Sequence, residues 1–378
     1  MVTMLNAPYM TVVRRDAGGR QLMDDRSLTE LEVIVPNLHW RYSGVTATNR
    51  MIAPRLARLL KAGWLGRDAP AGIPRLTFGD LLRLRLRPPM RRGARIWHAR
   101  RNNEMIVGLL LKLLGWRLAL VFTSAAQRRH TWISRFLIDH MGAVIATSEA
   151  AAAFLRRPAI VIHHGVDTEV YRPPPDRAAA FAATGLAGKF GIGCFGRVRP
   201  QKGTDLFVEA MCRLLPNYPD FTAVIIGSVA IDQQFFARGL QARVKEAGLS
   251  ERVRFLGELP IDEVPRWYQR ITIYAFTSRN EGFGLTLIEA MAAGAALVAA
   301  RAGAAETVVA DGDNGVLVPP GDVEALVKAL EPLMRDAHRA AAMGRRARER
   351  AMAEFGVDTE AEKITAVYRQ LWQLIPLR

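Results

Sequence analysis

Ile271-Thr-Ile-Tyr-Ala-Phe276 leads, through Thr277-Ser-Arg-Asn280, into Glu281-Gly-Phe-Gly-Leu-Thr-Leu-Ile-Glu289. The first run is a short apolar strand. The last opens a helix over about Leu285 to Ala293, which stops at Gly294. A glycine-flanked turn into a helix leaves backbone N–H groups unpaired, and the helix dipole adds to their pull on an anion. Glu281 and Glu289 repel phosphate, so beside such a pocket their natural task is to accept hydrogen bonds from hydroxyls, as on a sugar or a ribose. A helix with Leu285, Ile288 and Met291 on its inner face is equally what plain packing would need. The rest of the C-terminal half separates the two readings.

That half alternates short apolar strands with helices. Strands are expected at Phe190–Phe195, Thr222–Ile226, Val253–Leu256, Ile271–Phe276, Ala296–Ala299 and Val316–Val318. Helices are expected at Asp205–Leu215, Gln233–Ala247, Pro260–Gln269 and Leu285–Ala293. The pattern predicts a parallel, doubly wound sheet, whose ligands sit beyond the carboxyl ends of its strands. The N-terminal half repeats the scheme less clearly, with strands at Leu31–Pro36, Arg95–His98, Leu118–Thr123, Ala143–Thr147 and Ala159–Ile162. The prolines of Tyr171-Arg-Pro-Pro-Pro-Asp176 mark a linker. The fold expected is therefore α/β, two Rossmann-like domains facing across a cleft. Residues 1–30 read as an extension, 31–172 as one domain, 173–358 as a second, and 359–378 as a helix crossing back to the first.

Half of the 378 residues are apolar, which argues against disorder. The longest membrane-span candidate, Gly108 to Phe122, is interrupted by Lys112 and Arg117. Arg14, Arg15 and Asp16 stand where a secretion signal needs an apolar run. Cys194 and Cys212 suit buried thiols in a reducing cytosol better than a disulfide or metal site. The net charge of +16 is uneven: residues 1–175 contribute +15 and residues 176–378 only +1. The densest run is Arg83, Arg85, Arg87, Arg91, Arg92 and Arg95. Such a patch implies an anionic partner, unless it is only a solvated arginine-rich surface. Few aromatics interleave with the arginines and no nucleic-acid module is recognisable, so nucleic acid is not expected.

The first strand of the second domain ends in Phe195-Gly196-Arg197-Val-Arg-Pro-Gln-Lys202-Gly203. Arg197 and Lys202 bring two positive charges to a glycine-flanked loop. A leaving diphosphate gains negative charge as a glycosidic bond breaks, and pre-placed cations stabilise that change. In a doubly wound sheet this loop and the Glu281 turn emerge on one edge. Asp311-Gly-Asp-Asn-Gly315 looks like a tight turn rather than a metal-binding pair. With Asp311–Gly321 and the entry His164-Gly165-Val166-Asp167, the chain resembles the family-4 retaining glycosyltransferases of the GT-B fold, over nearly all of residues 185–330.

That resemblance implies roles. Glu281 matches the glutamate that contacts the donor sugar, and Glu289 the one that holds the nucleotide ribose. Arg197 and Lys202 match the pair on the diphosphate. Gly282, Phe283, Gly284 and Leu285 match the turn whose amides meet phosphate and sugar. Tyr42-Ser43-Gly44-Val45 resembles the donor-closing glycine loop, with Ser43 where a second glycine often stands. Many relatives carry a His after the strand Leu118–Thr123; here Phe122-Thr-Ser124-Ala-Ala126 follows, which leaves His98, Ser124 and His130 as acceptor-side candidates. The resemblance implies no metal and no cofactor beyond a nucleotide-sugar substrate.

Val35-Pro-Asn-Leu-His-Trp40 through Thr46, and Val121 through His130, resemble lipopolysaccharide-core mannosyltransferases of alphaproteobacteria. The expectation is transfer of mannose from GDP-mannose to the Kdo-containing inner core, by a cytoplasmic protein peripheral on the inner membrane. The basic N-terminal half suits an acidic glycolipid and an anionic leaflet. The alternatives are a UDP-hexose-dependent enzyme of core or capsular polysaccharide synthesis and, more remotely, a non-catalytic binder of anionic glycan.

Overall fold

Continuous apolar runs bounded by glycine and proline supply the strands, because a sheet covered on both faces wants no polar alternation. The computed structural model describes residues 22–39, 44–87, 89 and 92–376. The first sheet holds β1 (Val33–Asn37), β2 (Ala62–Gly66), β3 (Arg75–Leu76), β4 (Arg95–Ala99), β5 (Leu118–Ser124), β6 (Ala143–Ala146) and β7 (Ile160–Val161). Their order is β3-β2-β1-β4-β5-β6-β7. The second holds β8 (Phe190–Phe195), β9 (Phe221–Ile226), β10 (Val253–Gly257), β11 (Ile271–Phe276), β12 (Ala296–Ala300) and β13 (Gly315–Val318). Its order is β10-β9-β8-β11-β12-β13, with every pairing parallel.

Contacts divide the described residues into two units, one drawn from 1–123, 131–145 and 361–378, the other from 124–130 and 146–360. In the second unit, successive residues of β11 alternate between two cores. Ile273 and Ala275 join Ile192, Phe207, Met211 and Leu330, while Tyr274 and Phe276 join Tyr268, Ile288 and Met291. Each fully buried Leu, Ile or Phe contributes about 1.5–3 kcal/mol. The chain leaves β8 in one direction and β11 in the other, so the carboxyl ends of these neighbours form the topological switch point.

The first unit departs from expectation in two places. Residues 22–30 are no extension: Asp24 caps the helix Asp25–Glu30, accepting from Ser27 N at 2.7 Å, and Met23 and Leu28 enter the core. β2 and β3 went unread because Ala-Gly-Trp-Leu-Gly has weak strand preference and β3 is two residues long. Pairing Val33 with Ala62 and burying Trp64 override that weakness. The Leu/Arg alternation of residues 82–87 carries the period of a strand, yet Phe78–Leu86 is a helix. A reciprocal capping box starts it, with Asp80 N donating to Thr77 Oγ1 at 3.0 Å and Thr77 N to Asp80 Oδ2 at 2.9 Å.

The basic run is also not all surface; Arg91 lies outside the described residues. Arg95 is buried, donating to the carbonyls of Leu31 and Arg87 at 3.1 and 2.7 Å, and burial lowers its pKa to about 10. Arg92 stacks over Trp372 at 4.8 Å and Arg85 over Trp116 at 5.4 Å.

The last helix, Val357–Gln373, sends Tyr368 and Trp372 into the first unit's core. Trp372 Nε1 donates to Ala94 O at 2.8 Å. Tyr368 meets His98, whose Nδ1 lies 2.5 Å from the phenol oxygen while Nε2 lies 2.7 Å from Thr123 Oγ1. Burial, with Arg100 nearby, holds the His98 pKa well below its ordinary value, so the folded unit keeps this ring neutral. The unfolded chain then binds more protons, and stability present above about pH 6.5 falls as the pH drops below it. Urea midpoints at pH 7, 6 and 5 should show a loss of up to about 1.4 kcal/mol per pH unit from this group, flattened in His98→Gln. Parallel pH dependences in the two proteins would remove His98 as the cause.

Candidate active site

Two loops leave the switch point. The loop after β8 turns through Gly196 (φ +136°), makes one 3-10 turn at Pro200–Lys202 and enters the helix Thr204–Leu214 through Gly203 (φ +67°). A Cβ on Gly203 would stand 1.9 Å from Thr277 O, so only glycine lets this loop lie on the one after β11. Thr277 Oγ1 then donates to Lys202 O at 3.0 Å, and Arg279 N to Gln201 O at 2.9 Å. Arg279 also forks onto Asp205, with N···O distances of 2.8 and 2.7 Å. The two loops therefore form one platform. A recess between them is lined by Gly196, Lys202, Thr204, Thr277 and Ser278.

Lys202 Nζ contacts Glu281 Oε2 directly, with both side chains largely shielded. The other carboxylate oxygen of Glu281 accepts from Gly282 N at 3.1 Å. The turn is braced on its far side. Gln127 Nε2 donates to Gly282 O at 3.0 Å, and Ala304 N to Phe283 O at 2.8 Å. Gly284 (φ +102°) occupies the N-cap of the helix Leu285–Ala292 with no side-chain cap, which leaves the first amides to another acceptor. Phe283 is buried, with the His164 ring edge-on at 5.1 Å. His164 is itself held by Glu360, at 3.0 Å from Nδ1, while Gly165 N donates to the same carboxylate at 2.8 Å.

One turn into the helix, Glu289 Oε2 accepts from Tyr268 OH at 2.8 Å. Burial raises its carboxyl above the usual range, against the opposing hydrogen bonds from Tyr268 and Tyr171. Burial and the Glu289 charge push the Tyr268 phenol well above its ordinary value. Burial likewise pushes the Cys194 thiol up to about 11, so this free cysteine is inert beneath the platform.

Lys202, Glu281, Gly282, Phe283, Gly284, Leu285 and Glu289 thus share one loop-and-helix assembly. Arg197 lies on the same first loop, exposed and paired with no side chain among the described residues. Gly44 opens the helix Gly44–Leu59 with nothing within 4 Å of an added Cβ, so packing does not demand glycine there. Tyr42 and Ser43, the rest of that glycine loop, lie outside the described residues.

The acceptor-side candidates separate. His98 is an interior cross-link with both nitrogens engaged, which removes it from acceptor chemistry. Ser124 is buried, and its hydroxyl accepts from Ala126 N at 3.4 Å. His130 is half-buried, with a shielded Nε2 that has no partner among the described residues, and burial and Arg128 lower its pKa. It closes the segment that carries Gln127 against Gly282. Asp311 and Asp313 sit in a turn: Asp311 Oδ1 accepts from Leu317 N at 2.8 Å, and Asp313 pairs with Arg346 at 2.7 Å. Sequence reading missed Gln127, Asp205, Tyr268, Arg279 and Glu360, whose partners lie 21 to 196 residues away.

Residues 176–350 match the family described as glycosyl transferases group 1. The chain is 48% identical over 346 residues to the lipopolysaccharide core biosynthesis mannosyltransferase LpcC of Rhizobium leguminosarum bv. viciae, spanning 91% of this chain and 97% of that one. It is 44% identical over 351 residues to the lipopolysaccharide core biosynthesis mannosyltransferase LpsB of Rhizobium meliloti (strain 1021), spanning 91% and 99%. Among solved structures, HepE of Anabaena in complex with UDP and glucose aligns with a TM-score of 0.76 at 22% identity, covering 90% of this chain and 100% of that one. At that identity the likeness speaks for the GT-B fold.

If the Gly203–Thr277 contact joins the loops, Gly203→Ala should cost roughly 2–4 kcal/mol of stability. Gly248→Ala has a similar φ of +70° and open space around it, so it should lose only about 1 kcal/mol. Equal chemical-denaturation midpoints for the two variants would show that the close approach does not matter.

Proposed function

The chain belongs to the group 1 glycosyltransferases, and from that premise we propose that it moves mannose from GDP-mannose onto the Kdo-containing inner core of lipopolysaccharide, with retention, at the cytoplasmic face of the inner membrane. The contact between Lys202 and Glu281 at the switch point carries the proposal. It sets a cation for a diphosphate beside a carboxylate for sugar hydroxyls, ahead of an uncapped helix N-terminus. The high identity to two proteins named as core mannosyltransferases, over nearly their whole length, supports the sugar and the pathway.

In this reading the donor diphosphate takes over Lys202, with Arg197 free to swing onto it. Glu281 then turns to the mannose hydroxyls, and Glu289 accepts from the ribose. Glu289 is already desolvated and aligned by Tyr268, so little reorganisation is needed. The acceptor hydroxyl oxygen bonds to the anomeric carbon as the bond to the diphosphate oxygen breaks. That departing oxygen takes the hydroxyl proton on the same face, so the reaction balances without a protein nucleophile, a metal or a cofactor. His130, whose pKa burial lowers and whose Nε2 has no partner among the described residues, remains an acceptor-side side chain able to receive a hydrogen bond.

Peripheral attachment fits the first unit's surface. Phe78, Leu82 and Leu86 lie 66%, 64% and 85% exposed at helical spacing, with Arg83, Arg85 and Arg87 between and after them. This is the composition of a helix that lies in a lipid interface. Among the described residues no helix is long and apolar enough to cross a membrane. A second reading, a UDP-hexose donor, is favoured by the UDP and glucose bound in HepE.

Incubating the enzyme with labelled GDP-mannose, UDP-glucose or UDP-galactose and a Kdo-bearing lipid A precursor separates the readings. Label entering lipid from GDP-mannose alone is expected; label from a UDP-sugar would replace the mannosyl assignment. Glu281→Ala should reduce transfer at least about a hundredfold while nucleoside diphosphate binding survives, whereas Lys202→Ala should weaken that binding by about tenfold or more. Near-normal turnover of the first variant, or unchanged binding in the second, would displace these roles.

A further inference from the structure

Glu289 is half-buried, and among the described residues no cation pairs with it. Two phenols from separate parts of the chain meet it instead. Tyr268 OH donates to Oε2 at 2.8 Å, and Tyr171 hydrogen-bonds to the same carboxylate. Burial favours the neutral acid, and these two bonds oppose it, so they hold the group as an acceptor. A carboxylate offers about four acceptor positions, so with two occupied it can still take two hydroxyls.

Each phenol is fixed by contacts of its own. Tyr268 lies in the helix Val264–Arg270, fully buried, with the rings of Phe195, Tyr171 and Tyr274 around it at 4.7, 5.6 and 5.7 Å. Tyr274 OH in turn donates to Phe195 O at 3.3 Å, which locks the ring cluster. A ring packed on three sides has no room to turn its hydroxyl elsewhere. Tyr171 is set through its backbone. Its N donates to Asp167 O at 2.9 Å, and its O accepts from Arg348 Nη1 at 3.1 Å. The same nitrogen donates at 2.9 Å to Ala292 O, at the end of the helix that carries Glu289. One guanidinium therefore ties Tyr171 to that helix.

Packing alone does not call for this arrangement. An apolar side chain at position 289 would avoid the cost of desolvating a charge that no cation repays. A carboxylate aligned by two donors and still partly exposed suits a ligand that brings hydroxyls of its own.

We propose that Tyr268 and Tyr171 are positioning residues for recognition of the donor's ribose: acting through Glu289, they fix the direction its carboxylate faces before the nucleotide arrives. The proposal rests on the reading of Glu289 as the group that accepts from the ribose. An acceptor aligned in advance loses little freedom on binding, so its hydrogen bonds count nearly in full.

Calorimetric titration of the full chain tests this, with GDP or UDP, whichever binds more tightly, and with the matching 2′,3′-dideoxy nucleotide, which lacks both ribose hydroxyls. Wild type should prefer the ribonucleotide about tenfold or more. Tyr268→Phe removes one oxygen and leaves the ring in its packing. It should erase most of that preference while affinity for the dideoxy nucleotide stays unchanged, and Tyr171→Phe should act in the same direction. In a Glu289→Gln background, Tyr268→Phe should have no further effect on the preference, because both changes act through one carboxylate. Phenylalanine variants that weaken both nucleotides equally, or that keep the wild-type preference, reduce the tyrosines to packing and overturn the proposal, with the proposed function left standing. A wild type that binds both nucleotides alike also overturns it, since Glu289 then reads no ribose. A wild type that binds neither GDP nor UDP removes the donor site and the proposed function with it.

Discussion

The close approach of the loop after β8 to the loop after β11 is the constraint on which the second unit's site depends. These strands are neighbours only because the chain reverses its direction of winding between β10 and β11. Neighbouring strand ends alone would leave two independent loops. The absent side chain of Gly203 lets one backbone rest on the other at Thr277, and Arg279 then forks onto Asp205 across the seam. Lys202 and Glu281 meet as a consequence of that lacing. A cation and a carboxylate on flexible loops would lose much of their pairing to side-chain entropy and solvent screening; on a shared platform they are preorganised.

Buried and half-buried arginines hold the parts in place. Arg177 donates to Tyr268 O and Gly294 O, both at 3.1 Å, and burial lowers its pKa to about 10. Arg348 reaches Ala292 O and Thr168 O, both at 2.9 Å. Together they satisfy the carboxyl end of the helix Leu285–Ala292, whose amino end carries the candidate donor turn, and cations there also suit the helix dipole. In the first unit Arg95 serves carbonyls in the same way. Arginine does this well because its fork of donors stays charged at depth and bonds several carbonyls at once. In the first half Arg95 and Arg100 are buried, while Arg83 and Arg85 stay exposed on the helix Phe78–Leu86 beside an apolar stripe.

Histidine shows the same division between interior and surface. His98 and His164 are bound to tyrosine, threonine and glutamate partners inside the fold, whereas His130 keeps a nitrogen unpaired among the described residues. Burial depresses the pKa of both His98 and His130, but only an unpaired nitrogen can serve a ligand. Ser124, the last residue of β5, is buried.

The alternation of apolar runs and helices by itself determined the second sheet, strand by strand, and the motif from Glu281 to Glu289 with Arg197 and Lys202 determined which loops to inspect. Those signals are local: hydrophobic periodicity, glycines at turns and capping residues act within a few positions. The first sheet was less legible. β2 is glycine-rich, β3 is two residues long, and the arginine-leucine alternation before β4 has the period of a strand while its capping box makes a helix. Only the tertiary structure decided that His98 is an interior cross-link, that Arg95 faces inward, that Gln127 and Arg279 brace the candidate site, and that Tyr171 and Tyr268 meet at Glu289. These facts depend on pairs of residues far apart in the chain, and distance along the chain carries no information about which side chains burial will bring into contact.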